Sequence, residues 1–441
     1  MSYDDRSTMI VLQLSYYYAC TGTVREPGGL SRRGVRATEG KRSMREMTAT
    51  VVGGGIAGLA AAVSLARAGW STTVLERSAG FGELGAGVAL PRNGITALRS
   101  LGLDDDTIAT LGHESLVTGF RNLRGRWILR IPNERPEVSR VMAVWGMHRA
   151  RLHTALRAAA EAAGVRMICG ARVSEVHPGT PGGKAAVVAW RTDDDEHRIE
   201  CDLLVGADGM RSAVREQVFP GIEPAYSGST SWRAVIPDTA SDGNLIELWG
   251  PGAEFGAMRL SDSEIYWYGY FRHPRGATFA DELAAARSRF AGWAPQAVDL
   301  VEATSASQLM RHDVYHLPGG LPSYVRGRVV MIGDAAHAAL PTMGQGAATA
   351  LEDGATVGRM IGGHLADGAD LAAAMAAFDA ERRPRCHAIA RQATVMARYG
   401  ADLGGGWRQP VRNALLRLVP GAAVARSAAP LVAWRPPATG S

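Results

Sequence analysis

Three glycines, Gly53, Gly55 and Gly58, stand in the spacing G-x-G-x-x-G between a β-branched run and an alanine-rich stretch. That spacing suits a pyrophosphate. The first glycine turns the chain, the second lets the backbone approach the phosphates, and the third lets a following helix pack on the strand. The positive end of that helix then faces the anion. Glu76 follows 18 residues past Gly58, at the end of a second β-branched run. A carboxylate there can accept a hydrogen bond from a ribose hydroxyl, and Arg77 stands next to it. On these residues alone the ligand is a dinucleotide, NAD or FAD. Two later turns set an acid beside a glycine. One is Asp208-Gly209 followed by Arg211-Ser212. The other is Gly333-Asp334, followed by Pro341-x-x-Gly344-Gln345-Gly346.

The elements that position these groups follow from periodicity. Residues 50–76 read as a strand–helix–strand unit with the glycines at its first junction. Residues 80–93 form a glycine-rich loop leading through Val88 to Pro91, able to wrap closely around a flat ligand. Residues 115–145 alternate and carry Arg121, Arg124, Arg126 and Arg130, which predicts antiparallel strands. Residues 146–163 read as a helix, with Arg149, Leu152, Leu156 and Ala159 at helical spacing. Strands are expected near 165–169, 173–177 and 185–191. Residues 225–275 are the most aromatic stretch and alternate as a sheet with one covered face. Residues 281–290 predict an amphipathic helix. A helix is expected from Gly346 to about 365, and another over 371–396 with an interruption near Pro384. There is no internal repeat.

Composition narrows the class. The 441 residues are 46% hydrophobic and 21% charged, ordinary for a globular chain. The formal charge of +5 is uneven: residues 1–48 hold eight Arg or Lys and five Asp or Glu. That segment shows no hydrophobic period and is expected to be a disordered extension, even one that precedes the natural start. The remaining chain is nearly neutral and has no basic stripe, so no nucleic-acid partner is expected. Cys20, Cys169, Cys201 and Cys386 lie far apart, without metal-ligand spacing. They are read as reduced thiols, with Cys169 and Cys201 in strand-like core positions and no metal. The apolar stretch 9–20 follows two acids and is broken by Gln13 and Ser15, a poor signal peptide. No later apolar run reaches about 18 residues, so no integral membrane segment and a cytoplasmic location are expected.

In order along the chain, Gly53-x-Gly55-x-x-Gly58, Asp208-Gly209 with Arg211-Ser212, and Gly333-Asp334-Ala-Ala-His with Pro341-x-x-Gly344-Gln-Gly346 resemble the motifs of the class A, single-component flavoprotein monooxygenases. These are the para-hydroxybenzoate and salicylate hydroxylase group. The resemblance covers residues 50–396. It implies an α/β fold in which a Rossmann-type FAD-binding domain (49–115, 145–220 and 325–400) is interleaved with a smaller antiparallel β-sheet substrate domain (116–144 and 221–324). A C-terminal helical segment (401–441) follows.

The resemblance also implies roles. Asp334 would bind the ribitol chain of FAD, and Glu76 the adenosine ribose. Asp208, Gly209 and Arg211 would meet FAD and the NAD(P)H pyrophosphate, and Arg149 would contact FAD. Gly53, Gly55, Ala57, Gly58, Arg77, Val88, Gly344, Gln345, Gly346 and Ala347 complete the expected cofactor shell. The turn at Pro341 would lie against the flavin ring and shape the oxygen pocket. The helix from Gly346 would aim its positive end at the flavin N1/C2 edge. Ala347-Ala348 stand where many members carry Asn or a larger residue, which weakens the substrate analogy with that subgroup.

By the same resemblance, NAD(P)H reduces FAD, O2 adds, and a flavin C4a-hydroperoxide hydroxylates a small aromatic or polycyclic ring. The alternative is an FAD oxidoreductase or epoxidase of the same fold that does not hydroxylate a ring. The aromatic strands should supply the substrate face. Arg233 and Tyr268 are expected beside the reacting ring, with Trp249, Phe255 and Tyr226 lining it and His273 behind. His337 is read as structural. A monomer or homodimer is expected.

Overall fold

The computed structural model describes residues 46–438, apart from 83–85, 194, 239–242 and 364–369. The expected extension over 1–48 falls outside the described residues except for its last three, as does Cys20. Thr48–Val52, Ser71–Leu75, Leu203–Gly206 and Val329–Met331 are short aliphatic and β-branched runs, the kind that can be buried on both faces of a parallel sheet. They pair in parallel, and Val325–Arg326 and Arg166–Ile168 complete a six-stranded sheet at its two edges. Register aligns the C-terminal ends: Val52 lies opposite Leu75 on one side and Gly206 on the other, and Gly206 lies opposite Met331. From Thr48–Val52 the chain crosses through the helix Ile56–Arg67 to one neighbour and returns much later to the other. Strand order therefore reverses at the first strand, and the reversal opens a crevice beyond the strand ends.

A seven-stranded sheet forms the second layer, in the order Met310–His316, Ala225–Pro237, Glu264–Arg272, Ala253–Arg259, Ile246–Gly250, Gly119–Asn122, Trp127–Arg130. Alternation divides its side chains cleanly. Trp232, Phe255, Trp267 and Phe271 point to one face and pack with Phe290 and Ala297, from the helices Glu282–Phe290 and Pro295–Glu302. Glu247, Glu254, Arg233, Tyr266, Tyr268 and Tyr270 occupy the other face. There, Tyr266 and Tyr268 meet Ala86 and Ala89, while Tyr270 meets Leu340 and Ala393. A small antiparallel sheet, with Ala143–His148 between Gly87–Pro91 and Gly112–Leu116, lies at this junction.

Several expected elements differ in detail. The helix expected from residue 146 begins at Arg149, because Ala143–His148 is a strand capped into the helix by His148. Pro136–Met142 is a helix inside the stretch read as strands, with Pro136 at its first position. The helix from Gly346 is α-helical to Thr356 and continues as a π-helical turn over Val357–Gly362. Leu371–Tyr399 runs unbroken through Pro384. Arg382 and Arg385, on either side of that proline, are both clamped to the Gly346–Thr356 helix. Cys201 is buried in a strand, whereas Cys169 is half-buried just past one.

Candidate functional site

The Gly53–Gly55 turn and the two glycine–acid turns emerge at the C-terminal ends of adjacent strands. A Cβ added to Gly53 would lie 2.4 Å from the Ala207 carbonyl, and one on Gly58 would lie 1.8 Å from the Gly53 carbonyl. Neither position admits a larger residue, so the first loop can close on the Asp208 turn only with these glycines. Gly55 caps the helix Ile56–Arg67 with no side-chain cap, leaving its first N–H groups open to an anion. Glu76 braces this loop: Oε2 accepts from Gly54 N (2.7 Å) and Oε1 from Ser78 N (2.8 Å). Buried His153, a residue that sequence reasoning missed, contacts the Gly54 carbonyl through Nε2 at 2.7 Å.

The Asp208 carboxylate is committed to its own turn. It accepts from Ser212 Oγ (2.5 Å) and Val214 N (3.1 Å), and burial raises its pKa against these bonds. Gly209, at φ +77, faces open space, and Arg211 is exposed. Arg77 is exposed too. Arg215 joins the two acid turns, donating to Met210 O (2.6 Å) on one and Ala335 O (3.1 Å) on the other. Its motif position gave no hint of this, because it simply follows the helix start. Asp334 stands exposed at the first position of the short helix Asp334–His337. A Cβ on Gly333 would lie 2.8 Å from that of Ala57, so the first and third turns meet through small residues.

The Gly-Gln-Gly turn is fixed from behind by buried charge. Gln345 turns inward, its Oε1 accepting from Asn93 Nδ2 (2.9 Å), and the same Asn93 nitrogen reaches Glu352 Oε1 (2.7 Å). Arg385 donates to both Glu352 oxygens at 2.7 Å, and Arg382 bridges Glu352 and Asp353 at 2.8 Å each. Asp353 Oδ2 then accepts from Gly333 N (2.9 Å) and His337 Nε2 (2.5 Å). Burial works against the His337 cation, but Cys386 and Asp353 outweigh it and raise its pKa well above the ordinary value. Burial likewise pushes the Asp353 carboxyl up, yet His337 and Arg382 hold it below its usual range. Although His337, Asp353 and Cys386 gather closely, the aspartate oxygens are taken by donors.

With its side chain so engaged, Gln345 leaves the Gly346–Thr356 helix without a side-chain cap. Gly344 sits at φ +60, and a Cβ there would lie 3.1 Å from that of Ala89, next to Val88. Pro341 and Gly346 are exposed, and Ala347 is half-buried. Two uncapped helix ends, a glycine-lined crevice and an exposed carboxylate between them fit the pyrophosphate, flavin edge and ribitol of FAD.

Across the layer junction, register sets Met310, Arg233, Tyr268, Gly256 and Glu247 in one row over five strands. Gly256 makes the row work. A Cβ there would lie 2.4 Å from the Tyr268 hydroxyl, so the phenol crosses the glycine and donates to Glu247 Oε1 (3.1 Å). Burial pushes Glu247 up to about 7 and raises Glu254 and Tyr268 well above their ordinary values. At the other end, burial lowers the pKa of His312, aided by Arg233, Arg149 and Arg311. The sequence did not single out Glu247 and Glu254. Only the strand register could, by placing two acids on the aromatic-rich inner face.

Two expected substrate contacts are corrected. Phe255 lies on the opposite face, stacked on Trp267 (5.4 Å) and edge-on to Phe290 (5.2 Å), because its strand parity is that of the core. Tyr226 is tied to the sheet edge, its hydroxyl donating to the His273 carbonyl (2.5 Å) and its ring against Tyr315. His273 stacks on Phe279 on the same outer side. Trp249 has the inner parity but is covered by Phe120 at 4.3 Å and by the Arg412 guanidinium at 5.2 Å. Arg233 and Tyr268 do face the junction.

Comparison with known proteins places the chain in a family. The family model "FAD binding domain" matches residues 46–393. Aurachin C monooxygenase/isomerase of Stigmatella aurantiaca is 33% identical over 85% of this chain and 94% of its own length. The 2-heptyl-3-hydroxy-4(1H)-quinolone synthase of Pseudomonas aeruginosa is 33% identical over 85% and 95%. In fold, the chain resembles Klebsiella pneumoniae HpxO, solved with FAD and uric acid, at a TM-score of 0.77 and 24% identity over 88% of this chain and 97% of that one. The chain belongs to the FAD binding domain family, as an FAD-dependent monooxygenase that uses NAD(P)H and O2.

Proposed function

We propose that this monooxygenase hydroxylates a nitrogen heteroaromatic ring of the quinolone type, bearing an ionisable ring N–H or O–H. The observation that carries the reading is the row Arg233–Tyr268–Gly256–Glu247, with the apolar side chains of Val235, Tyr266 and Met258 alongside it. The names of the two relatives at 33% identity support the substrate class.

Bound FAD supplies the two-electron chemistry that activates O2. The chain's own residues hold it and prepare the ring. In this reading Gly53, Gly55, Ala57 and Gly58 receive the pyrophosphate, Glu76 a ribose hydroxyl, and Asp334 the ribitol. Gly344, Gln345, Gly346 and Ala347 meet the flavin edge, with Pro341 and Val88 walling the ring. Arg77, Asp208, Gly209 and Arg211 stand at the phosphate side, the last three also near NAD(P)H. Arg149 lies within electrostatic reach of Tyr266 and His312, as Arg233 does. Two guanidinium groups there favour an anionic ring. As the ring proton leaves for the Tyr268 hydroxyl oxygen, the tyrosine proton passes to Glu247 Oε1, and the ring keeps the electron pair. The anionic ring is the better nucleophile. The packed junction excludes water from it.

A panel of 4-quinolones, simple phenols and alkenes, scored by stimulated NAD(P)H oxidation and by label from ¹⁸O₂ in the product, tests the reading. Quinolone stimulation with one labelled oxygen in the ring is expected. Labelled phenol but unlabelled quinolone would refute the substrate class. Epoxide as the sole labelled product would refute ring hydroxylation.

A further inference from the structure

The large apolar side chains that stand exposed among the described residues are Val395, Trp407, Val411 and Leu418. Trp407 is 70% and Leu418 79% exposed, while most of the molecule's large apolar side chains are buried. Trp407, Val411, exposed Ala414 and Leu418 follow one another at intervals of four, three and four along Arg408–Arg417 and its two flanking residues. That interval makes a single stripe down one helix face. The opposite face is anchored: Arg412 is buried, donates to the Tyr399 carbonyl (2.8 Å) and lies over Trp249. The stripe therefore points outward because the other side is held, and it has no partner within the described chain.

Charge identifies what covers it. Residues 391–441 contain seven arginines, Arg391, Arg398, Arg408, Arg412, Arg417, Arg426 and Arg435, and one acid, Asp402. The segment thus carries +6, more than the whole chain's +5. All of these arginines but Arg412 are exposed. A second copy docked on the same stripe would set exposed Arg408 and Arg417, which adjoin Trp407 and Leu418, against their own counterparts, which self-association does not favour. A stripe of four side chains on one helix is also far short of the roughly 800 Å² per partner of a stable protein interface. Exposed Trp and Leu flanked by arginine suit a bilayer surface instead. There the indole sits at headgroup level and guanidinium groups reach lipid phosphates. No single helix among the described residues is long and apolar enough to cross a membrane, and the following helix, Gly421–Val432, turns away by 89°. By length and composition the two helices would cross a membrane only as a sharply bent pair, whereas the outward stripe beside exposed Arg408 and Arg417 suits a surface.

We propose that the helix Arg408–Arg417 is a peripheral docking surface for an anionic phospholipid bilayer, with Trp407, Val411 and Leu418 inserted and the surrounding arginines on the headgroups. The proposal does not rest on the substrate reading. Its test is co-sedimentation of the full-length FAD-loaded protein with vesicles of phosphatidylglycerol and phosphatidylcholine, and with vesicles of phosphatidylcholine alone. Binding to the first and not the second, weakened by salt, is expected. Arg408→Glu reverses one exposed charge and should lower partitioning roughly 30-fold. Trp407→Ser with Leu418→Ser should abolish it, while flavin absorbance and melting temperature stay at wild-type values. No binding to either vesicle, equal binding to both, or unchanged binding by the variants would overturn the proposal. So would a dimer in light scattering that the double serine variant dissolves, since a second copy would then be the occupant.

Discussion

Glu247 shows how far burial can change one side chain. Burial raises its pKa to about 7 from 4.5, against the hydrogen bond from the Tyr268 hydroxyl, which lowers it. The folded protein thus holds this proton more tightly than the unfolded chain does. That contribution is fully present below about pH 4.5 and is lost as pH rises through about 7, amounting to roughly 3 kcal/mol. Glu247→Gln keeps an acceptor for Tyr268 and removes the titration. Urea unfolding at pH 5 and pH 8 should therefore show a difference smaller than wild type by about that amount; an unchanged difference would assign the slope to Glu254 instead. In turnover, the same variant should flatten the rise of quinolone-stimulated rate near neutral pH. The two acids proposed to meet the cofactor, Asp334 and Glu76, differ in kind. Asp334 is exposed at a helix start, so Asp334→Ala should lose flavin while the apoprotein melts as before. Glu76 also holds Gly54 N and Ser78 N. Glu76→Ala should therefore lower the apoprotein melting temperature and weaken flavin less, since a single ribose hydrogen bond is worth about 1 kcal/mol. Equal flavin loss in the two variants would contradict that order.

The helices Gly346–Thr356 and Leu371–Tyr399 are joined by ionic contacts buried from solvent. Arg382, Glu352 and Asp353 are fully buried. Burial opposes the Arg382 cation, but Cys386 and both acids raise its pKa well above the ordinary value. Removing it leaves Glu352 to Arg385 and Asp353 to His337, so each buried carboxylate loses one of two cationic partners, a loss of at most about 3–5 kcal/mol. Arg382→Leu should show that loss in denaturant unfolding, and the freed Asp353 should release Gly333 N and so weaken FAD as well. A destabilised variant with wild-type flavin affinity would separate the network from the Gly-Asp turn. This element was only partly legible in the sequence. Gly333-Asp334 and Gly344-Gln345-Gly346 were visible as turns, because glycine beside acid after an apolar run has few other uses. Pro384 was read as a break, because propensity speaks of the isolated helix and not of arginines clamped on either side of it. The strand Ala143–His148 was hidden for a similar reason: its pairing partners, Gly87–Pro91 and Gly112–Leu116, are far away in sequence.

At the scale of the whole molecule, the crevice was legible and the side-chain parity of the second sheet was not. Three turns announce themselves by local composition, and parallel pairing brings them together without further information. Which aromatic residues face the ligand depends on strand parity, and a shift of one residue exchanges the faces. Phe255 and Tyr268 both looked suitable, yet only Tyr268 has the inner parity. The layers meet through missing side chains. A Cβ on Gly87 would lie 2.3 Å from the Tyr266 ring, and one on Gly146 would lie 2.0 Å from the Arg259 carbonyl. Tyr266 is 5% exposed and packs with Ala86, Val144 and Met258, so its ring has no room to withdraw. Gly87→Ala should force the two sheets apart at the proposed substrate side, at a cost of about 1–3 kcal/mol from overpacking. The glycine turns proposed to hold FAD lie at the strand ends of the other layer and should keep it. The variant is therefore expected to purify with nearly full flavin content and a melting temperature lowered by several degrees. Its quinolone-stimulated NAD(P)H oxidation should fall far more than its flavin content. Flavin-to-protein absorbance and calorimetry on one preparation separate these outcomes. Parallel loss of flavin would mean that the second layer helps to hold the cofactor, and the division of labour between crevice and sheet would not stand.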